Sequence, residues 1–208
     1  EICACLVGSE MCIRDRVGTT NETYSEGQLI VSLTSYGNKL QLVYLTIESL
    51  LHQTVKPNKI ILWLDQTKYN IYESIPMALH KQEERGLEIR LCEDVGSYTK
   101  LVPALLNYPD AVIISADDDI IYPIDFVERL YRAYQKDLSK IYFYRGHYIL
   151  FNEDGSPKPY LEWVARGAKG CDIYNFPTGV SGIIYPPHCY HCLLYTSPSP
   201  RDMRRSRM

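Results

Sequence analysis

Apolar residues return along this chain with two alternating periods, and the alternation predicts an α/β fold. Leu29-Ile-Val-Ser-Leu-Thr34 reads as a strand, and Ser35-Tyr36-Gly37-Asn38 as the turn at its carboxyl end. Leu40, Val43, Ile47, Leu50 and Leu51 then recur at helical spacing, and Pro57 bars continuation, so the helix stops near Gln53. Ile60-Ile-Leu-Trp-Leu64 is a continuous apolar run, as expected of a strand covered on both faces, and it ends in Asp65. A unit of this kind, about 35 residues long, fits a right-handed parallel crossover.

The pattern repeats downstream. Residues 66–76 read as a loop. Met77 to Arg85 reads as a short helix closed by Gly86, and Leu87, Ile89 and Leu91 alternate into a third strand ending at Glu93-Asp94. Gly96 to Lys100 forms a loop, Leu101 to Leu106 a brief helix stopped before Pro109, and Ala111 to Ser115 a fourth strand. Asp125, Phe126, Glu128, Leu130, Tyr131 and Tyr134 place acid in the first turn of a helix and an apolar face behind it. Strands are expected at Ile141–Tyr144 and Tyr148–Phe151, a surface turn at 152–157, a flexible loop at 167–170, and a glycine-punctuated loop entering a strand over 176–187.

The fourth strand runs into Asp117-Asp118-Asp119, with Tyr122-Pro123 opening the next helix. Three adjacent carboxylates raise one another's pKa, and a divalent cation with its preference for carboxylate oxygen would relieve that repulsion. The competing reading is a solvated acidic turn that favours the helix N-terminus through its dipole. The four strands end in Thr34/Ser35, Asp65, Glu93/Asp94 and Asp117–Asp119. In a parallel sheet these ends share one edge, which is where open α/β sheets bind ligands.

Composition narrows the picture. The 208 residues are 46% hydrophobic and 23% charged with a formal net charge of −3, which argues against nucleic acid as an electrostatic partner. No apolar run approaches the roughly 20 residues of a membrane helix. There is no G-x-G-x-x-G, no Walker loop and no G-x-S-x-G, which disfavours dinucleotide, P-loop and hydrolase-nucleophile readings.

Both ends look foreign to the domain. Met11-Cys-Ile-Arg-Asp15 and Cys192-Leu-Leu-Tyr-Thr-Ser197 are what the transposon-end DNA AGATGTGTATAAGAGACAG and its reverse complement encode. Residues 1–17 and 192–208 are therefore expected to be adapter-derived tails around a domain spanning 18–191. Four of the seven cysteines, Cys3, Cys5, Cys12 and Cys192, leave with the tails. Cys92, Cys171 and Cys189 have no framework spacing, as in a reducing, cytoplasmic setting. His188-Cys189-Tyr190-His191-Cys192 mimics a zinc cluster, but its last ligand falls in the adapter-like stretch, so the match is read as accidental.

With these residues in view, the chain resembles a GT-A-fold nucleotide-sugar glycosyltransferase of the family 2 type, from Ile30 to Pro187. The resemblance is carried by Thr34-Ser35-Tyr36, by the helix Thr46-Ile-Glu-Ser-Leu-Leu-His-Gln-Thr54, by Asp65, by Asp117–Asp119 with Tyr122-Pro123, and by Pro177-Thr-Gly-Val-Ser-Gly182. It implies a GT-A-type, Rossmann-like, mostly parallel sheet with helices on both faces. It also implies sugar transfer from a nucleotide-diphosphate sugar to a glycan or lipid-linked hydroxyl acceptor, with inversion expected over retention and a surface polysaccharide as product. Peripheral membrane association is compatible with such a role.

By the same resemblance Asp117 and Asp119 would hold Mn²⁺ or Mg²⁺, with Asp118 as an alternative ligand, and the ion would bridge the donor diphosphate. Thr34, Ser35, Asp65, Asp94 and Lys100 would line the nucleotide-sugar pocket. Gly179 and Ser181 would lie beside the donor sugar, and Trp163, with Tyr160 and Glu162, would face the acceptor. Arg145 and His147 are further candidates for phosphate or acceptor. One departure stands out. An inverting enzyme needs a carboxylate base, and nothing acidic occurs between Asp172 and Cys192, so the base is expected beyond residue 191 and the chain is expected to bind nucleotide and metal yet transfer sugar poorly or not at all. The alternatives are a sugar nucleotidyltransferase, disfavoured because Tyr36-Gly-Asn-Lys39 is not the Gly- and Arg-rich phosphate loop typical of those enzymes, and a binding module without catalysis.

Overall fold

A computed structural model describes residues 17–25, 27–70, 75–166 and 172–190. Residues 1–16 and 192–208 of the adapter-like tails, the expected loop at 167–170, Cys171 and His191 lie outside these residues. In chain order the elements are β1 (Leu29–Thr34), α1 (Val43–Leu51), β2 (Lys59–Asp65), α2 (Met77–Glu83), β3 (Leu87–Cys92), α3 (Val102–Asn107) and β4 (Val112–Ser115). There follow α4 (Phe126–Tyr134), β5 (Tyr142–Phe143), β6 (Gly146–Tyr148), β7 (Val164–Arg166), β8 (Asn175–Pro177) and β9 (Ile183–Tyr185).

The main sheet has the order β3-β2-β1-β4-β9-β5. β1 pairs in parallel with both β2 and β4, β2 pairs in parallel with β3, and β9 runs antiparallel to β4 and β5. The fold is thus α/β and Rossmann-like, with a mostly parallel sheet and helices on both faces. Alternation along the strands divides the core. Leu29, Val31 and Leu33 of β1 and Ile60, Leu62 and Leu64 of β2 pack beneath α1, α2 and α4, through Ile47, Leu50, Leu79, Phe126 and Leu130. Ile30, Ile61, Trp63 and Ile113 face the other way, against Ala104 and Leu105 of α3. With side chains buried on both sides, β1 and β2 read as unbroken apolar runs.

This order places a switch point between β1 and β4. The chain winds outward from β1 through β2 to β3, then returns past them to set β4 on the other side of β1. The carboxyl ends of β1 and β4 therefore flank one crevice, the usual ligand position in such sheets.

Three features differ from the sequence-based expectation. The helix foreseen from Leu40 is preceded by a separate 3-10 segment, Gly37–Gln41, closed by Leu42 N–H on the Lys39 carbonyl at 2.9 Å. That tight turn keeps Lys39 near the end of β1. The strand foreseen at Tyr148–Phe151 lies earlier, at Gly146–Tyr148, and Phe151 makes only an isolated bridge with Pro157. A second, three-stranded sheet, β7-β6-β8, was not foreseen. Each of its strands has three residues, too few to print a period-two pattern.

Candidate functional site

At the switch point the three aspartates turn to different partners. Asp117 Oδ1 accepts from Lys100 Nζ at 2.6 Å, and its Oδ2 accepts from the Ser181 amide at 2.8 Å. The Lys100 ammonium also donates to the Gly179 carbonyl. Asp118 Oδ2 accepts from Ser35 Oγ at 2.8 Å, and its Oδ1 lies 3.3 Å from Lys39 Nζ. Asp119, far more exposed, takes the same Lys39 ammonium at 3.0 Å. The hydrogen bond to Asp119, reinforced by the charge of Asp118, raises the Lys39 pKa further above the ordinary lysine value.

The backbone of the triplet is held from below by one face of α1 and its extension. Thr46 Oγ1 donates to the Asp118 carbonyl at 3.0 Å. Ser49 Oγ accepts from the Tyr122 amide at 3.0 Å. The buried Gln53 side chain donates to the Pro123 carbonyl at 2.9 Å and accepts from the Val127 amide at 2.9 Å. Tyr122, packed on Phe126 at 4.1 Å between ring centroids, offers its hydroxyl oxygen to the Asp117 amide at 2.8 Å. The spacing of Thr46, Ser49 and Gln53 puts these three polar groups on one helical face, aimed at the segment after β4.

The loop from β8 to β9 closes the site from the other side. Ser181 sits at φ 69 and Gly182 at φ 104, both left-handed. A Cβ on Gly182 would lie 2.5 Å from the Phe126 ring, so only glycine lets this loop pass over α4 and present the Ser181 amide to Asp117.

The remaining predicted residues divide clearly. Asp65 and Asp94, at the ends of β2 and β3, share Lys68 at 2.8 and 3.5 Å. Lys68 and Thr67, through hydrogen bonds, hold the Asp65 carboxyl down at about 2. Asp94 also caps the following turn, accepting from the Gly96 amide at 2.8 Å. The Thr34 hydroxyl donates to the Trp63 carbonyl at 2.8 Å, ordinary strand-end bonding. Trp163 and Tyr160 belong to the packing of the second sheet, 5.2 Å apart and edge-on, with Phe176 5.4 Å from Trp163. The Trp163 indole N–H is taken by the Lys158 carbonyl, and Glu162 pairs with Lys158 at 3.7 Å. The Arg145 carbonyl accepts from the Thr178 amide at 3.2 Å, and His147 packs against Tyr160 at 5.1 Å. Sequence reasoning missed Lys39, whose only signal was being the one cation in the loop after β1, and Ser32, a polar residue buried mid-strand. Burial raises the thiols of Cys92 and Cys189 to about 11, which leaves them protonated and poor nucleophiles.

As arranged, the donor set does not fit a divalent cation. Among the described residues no three His, Cys, Asp or Glu side chains come together as a metal-holding group. Both oxygens of Asp117 and both of Asp118 already accept from ammonium, hydroxyl or amide groups. A cation between Asp117 and Asp119 would sit beside the Lys100 and Lys39 ammonium groups that these carboxylates already bind, which the like charges oppose.

No protein-family model matches this chain, and no curated protein matches it in sequence. Among solved structures, it is similar to CMP:2-keto-3-deoxy-manno-octonic acid synthetase complexed with CTP, with a TM-score of 0.51 and 12% sequence identity over 86% of this chain and 83% of that one. At that identity the likeness speaks for the fold alone. No described helix is long and apolar enough to cross a membrane.

Proposed function

We propose that the crevice between the carboxyl ends of β1 and β4 binds the phosphates of a nucleotide or nucleotide-activated sugar, and that the protein is a transferase acting on such compounds. The observation that carries this reading is the gathering of Lys39, Lys100, Ser35 and the Ser181 amide around Asp117–Asp119 at the switch point of the sheet. Two ammonium groups held by carboxylates are oriented before ligand arrives, and preorganised charge is what a phosphate leaving group needs. Asp65 and Asp94, on the adjoining strand ends, are suited to accept from the donors of a base or ribose.

Two finer readings share this chemistry. In sugar nucleotidyl transfer, a sugar hydroxyl attacks the α-phosphorus of a nucleoside triphosphate and pyrophosphate leaves. The fold likeness to a CMP-sugar synthetase favours this reading. In glycosyl transfer, an acceptor hydroxyl attacks the anomeric carbon and a nucleotide leaves with the bonding electrons. The resemblance carried by Asp117–Asp119 and by the Pro177–Gly182 loop favours that one, with a glycan or lipid-linked acceptor. In both, negative charge grows on phosphate oxygens and is met by Lys39 and Lys100.

The test has two arms. Nucleoside triphosphates with free sugars are assayed for pyrophosphate release, and a panel of nucleotide sugars for release of nucleoside mono- or diphosphate. Pyrophosphate supports nucleotidyl transfer, and nucleotide release with a glycosylated acceptor supports glycosyl transfer. Binding without either product makes the chain a non-catalytic nucleotide module, and no binding of any compound refutes the proposal.

A further inference from the structure

We infer, resting on the nucleotide reading above, that Lys39 and Lys100 take the place of a divalent cation in neutralising the ligand's phosphates, so that nucleotide binding here is metal-independent. Three observations carry it. First, the negative charge of the triplet is already met from within: Lys100 on Asp117, and Lys39 on both Asp118 and Asp119. The aspartates thereby act as anchors for ammonium groups and have no need of a metal to relieve their mutual repulsion.

Second, each ammonium has three N–H donors. Lys39 spends two, on Asp118 and Asp119, and Lys100 spends two, on Asp117 and the Gly179 carbonyl. Each keeps one for a phosphate oxygen, with its direction constrained by the other two.

Third, both lysines are built into the fold. The 3-10 turn after β1 brings Lys39 to the triplet, and the Lys100 carbonyl is fixed by a 2.7 Å hydrogen bond from the buried Ser32 hydroxyl. Lys100 keeps only 18% of its side chain exposed, against 45% for Lys39. Lysine binds phosphate as a compact charge, which suits a site that must accept and release a di- or triphosphate.

The experiment is calorimetric titration of CTP and of UDP- and GDP-sugars into the full chain, once in EDTA and once in Mn²⁺. For the ligand that binds, the two dissociation constants are expected to agree within about threefold. Lys39→Met and Lys100→Met are each expected to weaken binding by about tenfold or more in EDTA, whereas Lys100→Arg retains most of the affinity. Melting curves establish that each variant is folded, and Lys39→Met, on the surface, carries the test should Lys100→Met not fold. Binding that requires Mn²⁺, or that in EDTA is insensitive to Lys39→Met, overturns this inference and leaves the nucleotide reading standing. Failure of every nucleotide to bind in either buffer overturns both.

Discussion

The Ser32 hydroxyl, in the middle of β1, donates a 2.7 Å hydrogen bond to the carbonyl of Lys100. Ser32 is fully buried, and its oxygen also accepts from the Trp63 indole at 2.9 Å. A single core hydroxyl thus ties β1 and β2 to the residue whose ammonium holds Asp117. Replacing it with Ala leaves a buried indole N–H and a carbonyl without their partner. Ser32→Ala is expected to lower unfolding free energy by about 2 kcal/mol, measured by urea denaturation. It is also expected to weaken nucleotide binding by loosening Lys100. Unchanged stability would mean that the hydroxyl is not part of the support.

Gly182 is predicted to be irreplaceable. Its φ is positive, and a Cβ at this position would stand 2.5 Å from the Phe126 ring, which leaves no room for a side chain. Gly182→Ala is expected to destabilise the protein by about 2–4 kcal/mol and to pull the Ser181 amide from Asp117. A melting temperature equal to that of the wild type would contradict the loop path described above.

The acid limb of stability should carry the signature of Asp65. Its carboxyl lies at about 2 in the folded protein against an ordinary 3.8, because Lys68 and Thr67 bond to the charged form. A depressed carboxylate pKa contributes stability that is fully present above the unfolded value and lost as pH falls through the folded one. Between pH 4 and 2 the wild type is therefore expected to lose melting temperature more steeply than Asp65→Asn. Parallel curves for the two proteins would show that the Lys68 pairing contributes nothing measurable.

Much of this architecture was legible in the pattern of residues, and the reasons are physical. β1 and β2 are buried on both faces, so Leu29–Leu33 and Ile60–Leu64 stand out as apolar runs. The acidic edge was also legible, since a parallel sheet brings successive strand ends together, and the Ser35–Asp118 hydrogen bond bears that out. What the pattern did not reveal was direction. Thr34 and Ser35 are adjacent and equally polar, yet Thr34 turns to the Trp63 carbonyl and Ser35 to the crevice, as alternation along a strand requires. Lys39 and Asp118 lie 79 residues apart, and no local signal announces such a pair. The second sheet escaped because three-residue strands are held by tertiary packing, here the Trp163, Tyr160 and Phe176 rings, and not by local propensity.

The central claim is that phosphate sits in the crevice between β1 and β4, against Lys39 and Lys100. It is tested most directly by acetylating the lysines of the intact chain with and without saturating nucleotide and reading each site by mass spectrometry. The account predicts that ligand slows modification of Lys39 and Lys100 by about tenfold while the exposed Lys81 and Lys136 react at unchanged rates. Equal rates at Lys39 and Lys100 with and without bound nucleotide would contradict it.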